Sequence, residues 1–306
     1  ISLMNKFRMN GIPISVFLFD KDWSIKMPNA SNTSGFSFNT RLIKNPNRLI
    51  NILHQMNIKV GVKVNPKDGI FSHENSFPEA RKYINLNKKG YIDFNPFEAR
   101  FMDLYLKLFI HPLEAMGIDL FWNDYDVLEN RNALFVLNDY MTKDMARAGK
   151  RSLVLGRNAN FAPHRYPILY SGHNQISFDV LKFLPFFNLT ATNIGVSYWS
   201  HDVGGSVGGI ENSELYIRSV QFGVFSPILR FNTENGTYYK REPWRWDIVT
   251  NNIVTYYLRL RNQLIPYLYT EFYHYHKEGI PLIKPFYYDY PFAYDDPVYI
   301  NQYFLG

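Results

Sequence analysis

Short apolar runs alternate with stretches of helical spacing along most of the chain. "IPISVFLFD" (12–20) has the pattern of a buried strand ending in an acid, "NPNRLINILHQMN" (45–57) repeats its apolar residues at helical intervals, and "IKVGVKVNP" (58–66) is a second strand. A helix near 97–116 precedes "GIDLFWND" (117–124), another near 131–149 precedes "RSLVLGR" (151–157), and "PILYSG" (167–172) follows. A helix near 177–189, the strand "NIGVSYWSHD" (193–202), a helix near 211–222, the strand "SPILRF" (226–231) and a long helix near 246–277 complete the series. Short apolar runs bounded by helices suit a parallel sheet buried on both faces, either an eight-stranded barrel or a doubly wound sheet. No G-x-G-x-x-G turn follows any strand, and nearly every strand ends in polar or acidic residues, as at the active face of a barrel. The expected fold is therefore α/β, a (β/α)8 TIM-type barrel.

Seven strands are one short of eight. Residues 1–11 read as the end of a helix feeding the strand at 12–20, so the first barrel strand is expected upstream, in a longer protein of which this chain is a fragment. Beyond about residue 278, "IPLIKPFYYDYP" and "DDPVYINQYFLG" are aromatic, punctuated by proline and strand-like. The division expected is a barrel over 1–277 and the beginning of an all-β domain over 278–306.

Composition adds limits. A chain of 306 residues that is 46% apolar and 17% aromatic can fill a large core. The formal charge of +6 is scattered, without a basic block, which gives nucleic-acid binding little support. "YYKREPWRW" (238–246) mixes basic and aromatic residues but reads better as a loop-to-helix junction packed over the barrel. With no Cys, thiol catalysis, thiolate metal sites and disulfides are excluded. No apolar run reaches eighteen residues, so no membrane span is expected. Compartment stays open, with the cytoplasm favoured, and oligomeric state is not legible.

The chemistry lies at the strand ends. Asp20 and Asp22 close the first strand in "FDKDW", Asp124 and Asp126 lie in "WNDYD", Arg157 ends "LVLGR", His173 follows "LYSG", and His201 and Asp202 end "YWSHD". A barrel delivers such groups to one mouth. Trp23, Trp122, Tyr125, Tyr170 and Trp199 accompany them. Aromatic faces beside carboxylates and an arginine suit a sugar, with its apolar C–H faces and its ring of hydroxyls. The histidines lack metal-ligand spacing such as H-E-x-x-H, and neither a metal nor a cofactor is expected. His164 and His201 read as packing or supporting histidines.

The ordered set "FLFDKDW", "GIDLFWNDYD", "VLGR", "RYPILYSG", "ATNIGVSYWSHDVGG" and "FGVFSPILRF" resembles glycoside hydrolase family 31, the retaining α-glucosidase and α-xylosidase family. The resemblance runs through essentially the whole chain. It implies a (β/α) barrel catalytic domain, preceded in the family by a β-sandwich and followed by β-domains, acting on an oligosaccharide or α-glycoside. It makes Asp124 the nucleophile that forms a covalent glycosyl-enzyme. Trp122 would line the sugar subsite, Asp20 would hold hydroxyls of the non-reducing end, Arg157 would lie beside the sugar and Asp202 at the rim. Asp22 and Trp199 complete the expected substrate-binding set. Asp202 could equally cap the following helix or bond Arg157.

Two positions depart from the family pattern. Where "SGD" supplies the general acid/base, this chain has "SGH" with His173, and where "LR-x-H" is usual, "ILRFN" puts Asn232 in the place of a substrate-contacting histidine and so in the substrate-binding set. An imidazolium, with an unperturbed pKa near ~6.5, can donate a proton. It differs from an aspartic acid in reach and places a positive charge near an oxocarbenium-like transition state. His173 is therefore read as acid/base, as a substrate or structural hydrogen-bonder, or as a relic, with Asp179 a weaker alternative donor. The reading favoured is a retaining, exo-acting α-glycosidase for α-glucosides. A weakened sugar-binding relative and a transglycosylase are the alternatives.

Overall fold

The computed structural model describes residues 1–26, 34–124, 131–157, 163–165, 168–234 and 241–306. They fall into two compact units, one built mainly from residues 14–160 and the other mainly from 169–306. Helix α1 (Ser2–Met9) opens the chain.

In the first unit, β1 (Val16–Phe19), β2 (Lys59–Val64), β3 (Leu120–Asn123) and β4 (Val154–Arg157) lie side by side in that order, all parallel. Helix α2 (Pro46–Gln55) joins β1 to β2. Its start is set by Asn45, whose side chain accepts from Arg48 N at 2.9 Å, and by Pro46, which has no N–H to leave unpaired in the first turn. Between β2 and β3 run α3 (Phe77–Ala80), α4 (Ala99–Tyr105), a π-helical turn over Leu106–Ile110 and α5 (His111–Ala115). Helix α6 (Arg131–Met145) precedes β4. Val60, Val62 and Val64 of β2 are fully buried. Gly61 lets the neighbouring strands close over β2, since a Cβ there would lie 2.5 Å from Leu18 Cδ1.

In the second unit, β5 (Ile168–Tyr170) pairs in parallel with β7 (Trp199–Asp202), and β7 with β9 (Ile228–Arg230). A second, very short parallel pair joins β6 (Gln175–Ile176) to β8 (Val207–Gly209), and it ties the loop after β5 to the loop after β7. Helices α7 (Phe178–Thr192) and α8 (Ser213–Val224) begin at Ser177 and Asn212, each accepting from the backbone N–H three residues on. All seven expected strands are present, each shorter than its apolar run.

The long helix expected near 246–277 is two helices, α9 (Ile248–Gln263) and α10 (Ile265–Glu278), meeting at Leu264. Pro266 has no N–H to donate back across that point, so the break has a local cause. In the tail, β10 (Ile283–Pro285) pairs antiparallel with β11 (Tyr303–Leu305), and the helical turn α11 (Phe286–Asp289) lies between them. Among the described residues, no helix is long and apolar enough to cross a membrane.

Strand β7 sorts its side chains by parity. Trp199 and His201 face the helical layer, with Trp199 against Phe187 at 4.6 Å and His201 against Phe222 at 5.3 Å. Ser200 and Asp202 face the other way. His201 is 1% exposed, and burial lowers its imidazole to about 4. Between the ordinary value near 6.5 and about 4, the unfolded chain takes up a proton that the folded chain refuses, so stability falls with pH across that window. At about 1.4 kcal/mol per pH unit the loss amounts to roughly 3 kcal/mol. Urea unfolding between pH 7.5 and 4.5 should show this slope, and His201→Phe should flatten it. An unchanged slope in the variant would remove His201 as its source.

Candidate active site

The register of the first unit assembles one cluster from three strand ends. Lys63 lies directly across from Trp122, and Phe19 across from Val62, so Asp20 comes next to Lys63 at the end of β1. The Lys63 ammonium lies 3.1 Å from Asp20 Oδ1, 2.7 Å from Asp124 Oδ2 and 4.5 Å above the Trp122 ring. Asp124 is fixed through its backbone as well, its N–H donating to Val64 O at 3.0 Å. Behind it, the buried Asn123 amide donates to Asn138 Oδ1 at 2.8 Å and ties the end of β3 to α6. Trp23 donates to Lys63 O at 2.9 Å and supports the same strand. A carboxylate that attacks must be held in one place and kept ionised, and this arrangement holds Asp124 from the backbone and from a cation.

Asp22 is not part of this cluster. It sits in the turn Lys21–Trp23, is 74% exposed, and pairs with Lys26. Arg157 is the last residue of β4 and its side chain lies outside the described part of the structure, as do Tyr125 and Asp126.

The second unit carries a different cluster. Asp202, fully buried, accepts from Arg230 Nη2 at 2.7 Å on one oxygen and from the Tyr170 hydroxyl at 2.7 Å on the other. Burial pushes the Asp202 carboxyl up, but contact with His173, the Arg230 charge, Ser206 and Tyr170 together outweigh it and hold the group below the usual carboxylate range. The same surroundings, burial first and the Asp202 charge next, push the Tyr170 phenol up. Arg230 also stacks over the Tyr170 ring at 4.2 Å. His173 turns Nδ1 toward this group, 3.3 Å from Tyr170 Oη, 3.2 Å from Ser206 Oγ and 3.7 Å from Asp202 Oδ2.

The loops that bring these residues together depend on glycine. Gly172, just before His173, has φ +93, and Gly204 and Gly205, just after β7, have φ +86 and +79, a region that side-chain-bearing residues rarely adopt. The Gly204 and Gly205 carbonyls accept from Arg241 at 2.8 and 2.7 Å. Ser206 N donates to Asn174 O at 2.7 Å, continuing the β6–β8 pairing. Arg241 belongs to the "YYKREPWRW" stretch, whose described part is a junction, with Trp246 stacked on Tyr216 at 4.9 Å.

Trp199 corrects the expected substrate-binding set. It is 2% exposed in the helix-facing core, and its Nε1 donates to Asn188. It lies three positions before Asp202, and in a strand that puts the two on opposite faces. Asn232 is half-buried, two residues past Arg230. Asp179 occupies the first turn of α7. Lys63, Ser206 and Arg230 are site residues that the pattern of strand ends does not single out. Lys63 and Arg230 each leave a trace, as a lone cation inside the apolar runs "VGVKV" and "SPILRF".

Among the described residues, the one grouping of metal-ligating type is His111, Glu114 and Asp144. Arg147 pairs with both of its carboxylates, so it reads as an ion-pair staple between α5 and α6.

The family model for the TIM-barrel domain of glycosyl hydrolases family 31 matches residues 1–271. The chain is 26% identical over 343 aligned positions to an alpha-xylosidase of Saccharolobus solfataricus, covering 100% of this chain and 44% of that protein. It is 25% identical over 332 positions to neutral alpha-glucosidase C of Mus musculus, covering 94% and 36%. It thus spans less than half the length of these two relatives. Among solved structures, a family 31 α-xylosidase from a soil metagenome, complexed with xylose, superposes with a TM-score of 0.80 at 22% identity, over 100% of this chain and 52% of that one. The match runs from α1 into α10 and takes in both clusters: the chain belongs to glycosyl hydrolases family 31, as that family's TIM-barrel domain.

Proposed function

We propose that the protein is a retaining, exo-acting α-glycosidase that removes terminal α-linked sugars, α-glucosides first. The observation that carries this reading is the Asp20–Lys63–Asp124 cluster over the Trp122 ring. One carboxylate at the end of β3 is pinned for attack, a second, 42% exposed, is placed for sugar hydroxyls, and an aromatic ring stands beside both. In this reading Asp124, at the end of β3, is the nucleophile. In the first step Asp124 attacks the anomeric carbon while the glycosidic oxygen leaves with a proton from His173. In the second, water replaces Asp124 and the net anomeric configuration is kept. The xylosidase and glucosidase relatives frame the choice of sugar, which turns on whether the C6 hydroxymethyl group is accommodated.

The test uses the intact parent protein with aryl α-glucoside and aryl α-xyloside, and NMR of the sugar at early times. Release of the α-anomer supports the reading, first appearance of the β-anomer overturns retention, and no release from any α-glycoside overturns the enzyme. A weakened, sugar-binding role is the second reading. It is favoured by His173 and Asn232 at positions where the family pattern has Asp and His, and it predicts saturable binding of glucose or xylose without turnover.

A further inference from the structure

We infer that Asp202, steadied by Tyr170 and Ser206, makes His173 a proton-transfer dyad whose working atom is Nε2, with Asp202 as the positioning residue. The inference rests on the glycosidase reading and deepens it, because it explains how a histidine can stand where a carboxylic acid is usual.

The geometry is one-sided. Among the described residues, the hydrogen bonds and the ion pair of His173 all go to Nδ1, from Tyr170, Ser206 and Asp202. Nε2 lies across the ring, on a side chain that is 39% exposed while Asp202 is fully buried. A buried carboxylate facing one ring nitrogen favours the tautomer with the proton on that nitrogen, and leaves the other to exchange protons with a substrate. Arg230 holds Asp202 Oδ1 and the Tyr170 hydroxyl donates to Oδ2, the oxygen that faces His173, so Asp202 can serve as a fixed negative partner without taking the proton itself. When the glycosidic C–O bond breaks, the Nε2–H proton passes to the departing oxygen and Asp124 forms the new bond to the anomeric carbon. When water attacks that carbon, its proton returns to Nε2 and the Asp124 ester bond breaks. Protons balance over the cycle and Asp202 stays ionised throughout. The Asp202 charge also offsets the positive imidazolium, which would otherwise oppose an oxocarbenium-like transition state.

The decisive measurements are nitrogen-15 NMR of the wild-type protein and a series of aryl α-glucosides of graded leaving-group quality. Neutral His173 should carry its proton on Nδ1, against the commoner Nε2–H form in water, and a neutral Nε2–H form would overturn the dyad even if no variant folds. Asp202→Asn should lose on the order of 10²- to 10⁴-fold on poor leaving groups, by analogy with carboxylate-to-amide changes behind a catalytic histidine, and much less on a dinitrophenyl leaving group. An equal loss on every leaving group would mark Asp202 as structural only. For His173→Ala, azide should restore turnover of the dinitrophenyl substrate and give the α-glycosyl azide, because it enters from the side vacated by the acid/base. Failure of the wild type on every substrate sinks the glycosidase reading, and with it the catalytic use of the dyad, while the NMR result still decides the tautomer.

Discussion

Asp124→Ala should abolish turnover, with kcat/KM falling on the order of 10⁴- to 10⁶-fold, the range seen when an attacking or base residue is removed from a nucleophilic enzyme. The fold should survive, because the backbone of Asp124 keeps its bond to Val64 O and Asn123 still anchors the end of β3 to α6. Lys63 keeps Asp20 as a partner at 3.1 Å, so no buried cation is stranded. The stereochemistry makes the prediction specific. Azide in the space left by the side chain attacks the face opposite the leaving group, so the variant should convert an activated aryl α-glucoside to the β-glycosyl azide. The α-azide would instead place the missing group on the leaving-group side and exchange the assigned roles of Asp124 and His173. Mass spectrometry of the wild type after a 2-fluoro sugar should find the label on Asp124, and a label elsewhere would contradict the nucleophile assignment.

The sequence discloses what is local and hides what is paired. The strands themselves are legible, and so are the ends closed by Asp20, Asp124 and Asp202, because a short apolar run closed by an acid is a one-dimensional pattern. Trp199 is an instructive error. Period-two alternation along 193–202 puts Trp199 and Asp202 on opposite faces, so the signal that Trp199 belongs to the core is present in the sequence. The split between α9 and α10 was visible too, in Pro266. The β6–β8 pair was not, since two and three residues show no periodicity, yet it brings Ser206 to His173. Lys63 and Arg230 escaped for the same reason. Their meaning comes from strand register, which pairs Lys63 with Trp122 across 59 positions and Asp202 with Arg230 across 28. A cation inside an apolar strand reads alone as a side chain reaching for solvent. Only the neighbour strand shows that its target is a carboxylate.

Lys63→Met should therefore cost about 10- to 100-fold in kcat/KM, although Lys63 has no counterpart in the set of residues read from the motifs. Charge-assisted hydrogen bonds are worth about 1.5–3 kcal/mol, and about 1.4 kcal/mol corresponds to a factor of ten in rate. Methionine keeps most of the apolar stem of the side chain, but removes the ammonium from over Trp122 and leaves Asp20 and Asp124 without the cation between them. How the loss divides between kcat and KM tells the two carboxylates apart. If Lys63 positions the nucleophile, the rate of glycosyl-enzyme formation should fall with KM little changed, whereas Asp20→Asn should act mainly on KM if, as proposed, its carboxylate holds sugar hydroxyls. Pre-steady-state bursts with an activated aryl α-glucoside measure the first quantity directly. A Lys63→Met protein with a normal burst rate and only a lower melting temperature would reduce Lys63 to a fold-stabilising ion pair. A burst slowed in Lys63→Met and partly recovered in Lys63→Arg would identify the cation as what holds the nucleophile in place for attack.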